Sequence, residues 1–142
     1  MDCLYYNYLI KYMSLSNFID ELKNDCIVDE INLKESALLL PAKKAKWVSR
    51  LILQKNELIK LENDKKNMLN SLIDDLKKNS VTSFSQPVLK NLAEKDPNMR
   101  LIDEKIENSK NIIDFLERVE KIISSMSFDI GNIIKIVQLE TT

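Results

Sequence analysis

Apolar positions between Ala42 and Lys78 fall into two heptad seams lying side by side, with no glycine or proline to interrupt them. One seam reads Val48, Ile52, Lys55, Ile59, Glu62, Lys66, Leu69, Ile73 and Leu76; its neighbour reads Trp47, Leu51, Gln54, Leu58, Leu61, Lys65, Met68, Leu72 and Asp75. Straight-chain helix formers fill the positions between, so the pattern predicts one long helix over about 42–78, roughly 55 Å at ~1.5 Å per residue. That is more than a compact domain of this size needs for its own core, and the helix is expected to project or to pack on a neighbouring subunit. Both seams turn polar around residues 62–66. The interruption fits either a solvated face or a register-setting defect in a coiled coil.

The flanking pattern is helical too. Leu15, Phe18 and Leu22 share one side of a short helix, with Ser16 as N-cap and an end at Asn24 and Asp25. LKESALLL then reads as helix up to Pro41, which removes a backbone donor and predicts a kink or a restart. Beyond Lys78 the stretch NSVTSFSQ is polar and irregular, and Pro87 opens a short helix carrying Val88, Leu89 and Leu92. Asp96 followed by Pro97 repeats that start signal. A second long helix is expected over about 97–124, with a stripe of Ile102, Ile106, Ile113, Leu116, Val119, Ile123 and Met126. A separate C-terminal segment over about 127–139 should begin at Ser125 or Ser127; its β-branched content also permits a strand, and Gly131 weakens its middle as a helix. Phe128, Ile130, Ile133, Ile134 and Val137 there need cover, either from the chain's own long helices or from a subunit interface. The expected fold is all-α: two long amphipathic helices, short flanking helices and a C-terminal oligomerisation helix.

Composition supports this picture. With 142 residues, 44% of them hydrophobic, the chain makes one domain with a modest core, and its single glycine and three prolines are too few for the turns of a β-rich fold. Residues 1–12 stand apart, holding all four tyrosines, and Met13 follows at once. They are either an adhesive aromatic tail or a mis-assigned start, with residues 13–142 as the helical domain. Cys3 and Cys26 have no metal-ligand spacing and suggest a reducing cytoplasm. No run approaches a membrane span, and the N-terminus lacks the basic n-region and small-residue cleavage site expected of a signal peptide.

Charge adds a feature that the near-neutral total of −1 hides. From Lys43 to Lys66 there are eight bases against three acids, a net of +5, while residues 1–42 carry −4 and residues 67–142 carry −2. Candidate cations for a phosphate backbone are Lys43, Lys44, Lys46, Arg50, Lys60, Lys65 and Lys66. Lys43, Lys46, Trp47 and Arg50, spaced i, i+3, i+4 and i+7, put three cations and an indole on one helix face. Trp47 is either a surface for stacked bases or a core residue beside surface lysines. Catalytic chemistry is poorly served: histidine is absent, one glycine excludes a phosphate-cradling loop or a dinucleotide fingerprint, and the acidic pairs Asp74–Asp75 and Asp103–Glu104 point to different sides of a helix. The chain is expected not to be an enzyme and to need no metal or cofactor.

The order and spacing of several residues resemble the UvsY-type recombination mediators of T-even-like tailed phages. The likeness rests on Leu15, Glu21, Leu22, Lys23 and Asp25, then Lys46 and Trp47, then Glu62, Lys65 and Lys66. It resumes at Asp96, Asp103, Asp114, Phe115, Ile123, Ser125, Phe128, Ile130 and Ile133. It spans about Met13 to Ile136 and fails only between residues 79 and 95. The resemblance implies a non-enzymatic homo-oligomer, a ring of about six or seven subunits. Such a ring binds single-stranded DNA and helps a RecA-like phage recombinase displace the phage single-strand-binding protein, in the cytoplasm of an infected bacterium. Where the family's model member carries a Lys-x-Arg pair, this chain has Asn70 and Leu72, so Lys60, Lys65 and Lys66 are the substitutes. The rival reading is a helical coiled-coil adaptor or scaffold without DNA binding, since basic helix segments are usually just solvated.

Overall fold

A computed structural model describes residues 15–142 as four helices. They are α1 (Leu15–Asp25), α2 (Leu33–Asn79), α3 (Gln86–Glu94) and α4 (Pro97–Glu140). The fold is all-α, and no strand occurs among the described residues, including the C-terminal segment. Expectations for residues 1–12, Cys3 and the start at Met13 lie outside the described residues.

Three boundaries differ from the sequence reading, each for a local reason. Helix α1 already includes Ser16, which is therefore not its N-cap. Helix α2 runs through Pro41 without a restart. Leu40 is buried at 6% exposure, and that packing holds it in the α region that a following proline disfavours. Ala37, whose carbonyl loses its partner at Pro41, is exposed and can bond water instead. Helix α4 is continuous to Glu140, so the C-terminal segment is not a separate helix. The Ser125 hydroxyl donates back to the Ile122 carbonyl at 2.8 Å rather than capping a new start, and Ile130 is buried across the expected break.

Side-chain hydrogen bonds fix the starts of α2 and α4. Before α2 the Asp29 carboxylate accepts the N–H groups of Ile31 and Asn32, both at 2.9 Å, while Asn32 Oδ1 accepts the Asp29 N–H at 2.8 Å. At α4 the Asp96 carboxylate accepts the Asn98 N–H at 2.8 Å, leaving Pro97 where no donor is needed.

The described chain forms two compact units. One holds residues 15–49 and 116–142, and its core is Phe18, Leu40, Trp47, Leu116, Val119, Ile123, Met126 and Ile130. The other holds residues 50–115 and buries Leu51, Leu89, Ala93, Met99, Ile102 and Ile106. In both, the seam that begins at Trp47 is the inner one; Val48, Ile52, Ile59, Glu62 and Lys66 of the other seam are exposed. Polar positions on the inner seam find partners within the second unit. Gln54 Nε2 donates to the buried Ser109 hydroxyl at 2.8 Å, and Lys65 pairs with Asp103 at 2.6 Å.

One expectation about membranes is corrected. By length and composition alone, α4 contains a stretch apolar enough to cross a bilayer. The helix is nevertheless two-faced: Val119, Ile123, Met126 and Ile130 are buried in its own unit, while Glu120, Lys121, Asp129 and Lys135 are exposed.

Candidate nucleic-acid interface

The face of α2 that carries Lys43, Lys46 and Trp47 is turned onto α1. Glu21 and Asp25 stand one turn apart on α1 and meet the bases of α2. Lys46 Nζ lies 2.9 Å from Glu21 Oε1 and 2.5 Å from Asp25 Oδ2. The same Asp25 oxygen accepts the Trp47 indole N–H at 2.8 Å, and Lys43 Nζ donates to the Asp25 carbonyl at 3.0 Å. Trp47 is 1% exposed, packs edge-on against Phe18 with ring centroids 6.1 Å apart, and has the Lys46 ammonium 5.2 Å from its ring. Trp47 thus lies where the core reading expects it, enclosed beside partly exposed lysines. Lys43 and Lys46 fasten α1 to α2. The signal for this was the acidic edge Glu21–Asp25 facing a helix with cations at i and i+3, which charge counting along α2 alone passes over.

The remaining cations are disposed differently. Lys44 is half-buried, and it makes no ion pair among the described residues. In the second unit Arg50 is half-buried and has a partner; Lys65 is 40% exposed and paired with Asp103; Lys60 and Lys66 are exposed and make no ion pair among the described residues. The C-terminal apolar set also divides. Ile130 is buried in its own unit, Ile133 and Val137 are half-buried, and Phe128 and Ile134 are exposed. Beside the acidic edge, burial pushes the Cys26 thiol above its ordinary pKa, the Asp25 charge adds to this, and Lys43 partly opposes it.

These features define an all-helical protein built on two long helices, one of which carries a basic segment in an otherwise acidic chain. The family model described as "Recombination, repair and ssDNA binding protein UvsY" matches residues 21–142, and the chain belongs to that family. No curated protein sequence matches it. Among solved structures, the bacteriophage T4 recombination mediator protein UvsY in its lattice type II crystal superposes with a TM-score of 0.76 at 23% identity, covering 92% of this chain and 100% of that one. The lattice type IV crystal gives 0.76 at 23%, with 90% and 99% covered, and lattice type I gives 0.72 at 22%, with 85% and 96% covered. At this identity the likeness establishes the shared fold.

Proposed function

We propose that this chain is a recombination mediator of a tailed phage, acting as an oligomer in the bacterial cytoplasm. It binds single-stranded DNA and promotes loading of a RecA-like recombinase onto strands covered by single-strand-binding protein, in recombination, repair and recombination-dependent replication. The observation that carries this reading is the family match over residues 21–142, supported by a fold shared with proteins named as recombination mediators. Lys60 and Lys66 are the first choices for phosphate contacts because they are exposed and unpaired by acids among the described residues. Lys44, Arg50 and Lys65 complete the set, whereas Lys43, Lys46 and Trp47 leave it because α1 occupies them. Phe128, Ile133, Ile134 and Val137 remain as the assembly surface; Ile130 leaves it because it is buried within the subunit.

A salt titration of oligothymidylate binding tests the reading. Affinity should fall steeply with salt, and a Lys60→Ala, Lys66→Ala variant should weaken binding to all sequences and flatten the log–log slope by up to about two. A chain that binds no single-stranded DNA even at low salt would leave only the adaptor reading standing.

A further inference from the structure

With Trp47 enclosed, single-stranded DNA has no platform there for its bases. Among the described aromatic side chains only Phe84, at 42% exposure, and Phe128, at 71%, are exposed. Phe84 differs from Phe128 in its surroundings. It lines an open-sided cavity of about 420 Å³ in the second unit, at the connection from α2 to α3, together with Lys77, Ser80, Thr82, Ser83 and Leu89. That volume lies within the ~300–1,000 Å³ typical of small-molecule sites. The Ser80 hydroxyl donates to the Thr82 carbonyl at 2.5 Å and shapes the turn, while the Thr82 and Ser83 hydroxyls have no protein partner among the described residues. Charge favours an anion here. From Lys77 to Lys90 the chain carries three lysines and no acid; Asp74 and Asp75 lie on the α2 side of this stretch, and on the α3 side Glu94 sits 4.0 Å from Lys90.

We propose that this cavity is a nucleotide subsite for single-stranded DNA, with a base stacked on the Phe84 ring and the adjoining phosphate held by Lys77 and the Thr82 and Ser83 hydroxyls. The proposal rests on the single-stranded DNA binding argued above and adds to it a site outside the basic segment of α2. Stacking on one ring is sequence-tolerant because every base has a π-face, which suits a protein that must act on any exposed strand. A lysine and two hydroxyls read only the backbone, so the subsite positions the strand without specifying it.

Fluorescence anisotropy with labelled oligothymidylate, on the full chain and four variants, tests this. Phe84→Ala and Phe84→Leu should each weaken binding roughly tenfold, the second because leucine keeps the apolar cover but offers no ring to stack on. Lys77→Ala should lower the salt slope by about one. Phe84→Trp should bind like the full chain, and its emission should be quenched by oligothymidylate, while the buried Trp47 of the unaltered chain gives no change. If the full chain binds but Phe84→Leu binds equally well, or the new tryptophan is unmoved by the oligonucleotide, the subsite is overturned and DNA binding by α2 stands. If the full chain itself fails to bind, the functional reading falls and this one falls with it. Circular dichroism checks the fold of each variant; should Phe84→Ala lose helix, the leucine and tryptophan variants decide the matter.

Discussion

Replacing Asp25 by alanine removes the acceptor on which the packing of α1 against α2 turns. The Trp47 indole N–H is enclosed and has Asp25 Oδ2 at 2.8 Å, so truncation leaves a buried donor unmatched, at a cost of about 1–3 kcal/mol. The ion pair contributes less. Lys46 is 32% exposed and keeps Glu21 at 2.9 Å, so loss of its second carboxylate is worth about 0.5–1 kcal/mol. The Lys43 contact is to the Asp25 backbone and survives. The expected total is about 1.5–4 kcal/mol. Asp25→Asn, which keeps an oxygen for the indole and removes only the charge, should cost about 1 kcal/mol. Urea unfolding at fixed protein concentration, followed by circular dichroism and by Trp47 emission, measures both. A Trp47→Phe, Asp25→Ala double-mutant cycle isolates the indole bond as a coupling of about 1–2 kcal/mol. If Asp25→Ala unfolds at the same urea concentration as the unaltered chain, the contact is not holding α1. If Asp25→Asn is as damaging as Asp25→Ala, the charge and not the indole bond is what matters.

Further outcomes separate structure from binding. Lys46→Ala should lower stability by about 1 kcal/mol and leave the DNA salt slope unchanged, the opposite of Lys60→Ala with Lys66→Ala; urea melts and salt titrations read the two effects. Gly131→Ala should stabilise by about 0.5–1 kcal/mol in thermal or urea melts, because Gly131 is helical and an added Cβ would meet nothing within 4 Å. If the proposed assembly surface is right, Phe128→Asp with Ile134→Asp should give smaller, still helical particles in sedimentation, since both side chains are exposed in the subunit and their loss spares its core. In a Cys3→Ser background, Cys26 should alkylate more slowly with iodoacetamide in the folded chain than in urea, because its raised pKa depletes the thiolate. The sign for stability follows: the folded chain holds this proton more tightly, so the contribution is present below the unfolded thiol pKa and is lost as pH rises through the folded one.

The all-helical fold was legible because period, caps and the scarcity of turn residues agreed. The Asp96–Pro97 start and the stripe from Ile102 to Met126 needed no tertiary information. Continuity through Pro41 and through Ser125 did need it. Local chemistry at both positions argues for a break, and burial of Leu40 and Ile130 outweighs it. The two seams on α2 could not be ranked from the sequence, since each carries apolar residues at both ends. What separates them is the partner of each polar residue, Gln54 with Ser109 and Lys65 with Asp103, and partners more than thirty residues away are not visible in a periodicity.

The cation face shows the same limit where it bears on function. The spacing puts Lys43, Lys46, Trp47 and Arg50 on one helix face, and a stacking ring beside lysines is what a single-stranded DNA site requires. An indole that donates to a carboxylate, with a lysine on the same oxygen, satisfies the identical spacing and ends in a core. The two outcomes diverge through what α1 brings, Phe18 against the ring and the carboxylates of Glu21 and Asp25 on the indole and the lysine, none of which is a basic residue. An acidic residue one turn from another, on a short helix docked beside them, competes with phosphate for the nearest lysines. Residues Lys60 and Lys66 escape that competition because no acid among the described residues pairs with them, and it is on that ground, more than on charge density, that they are proposed for DNA.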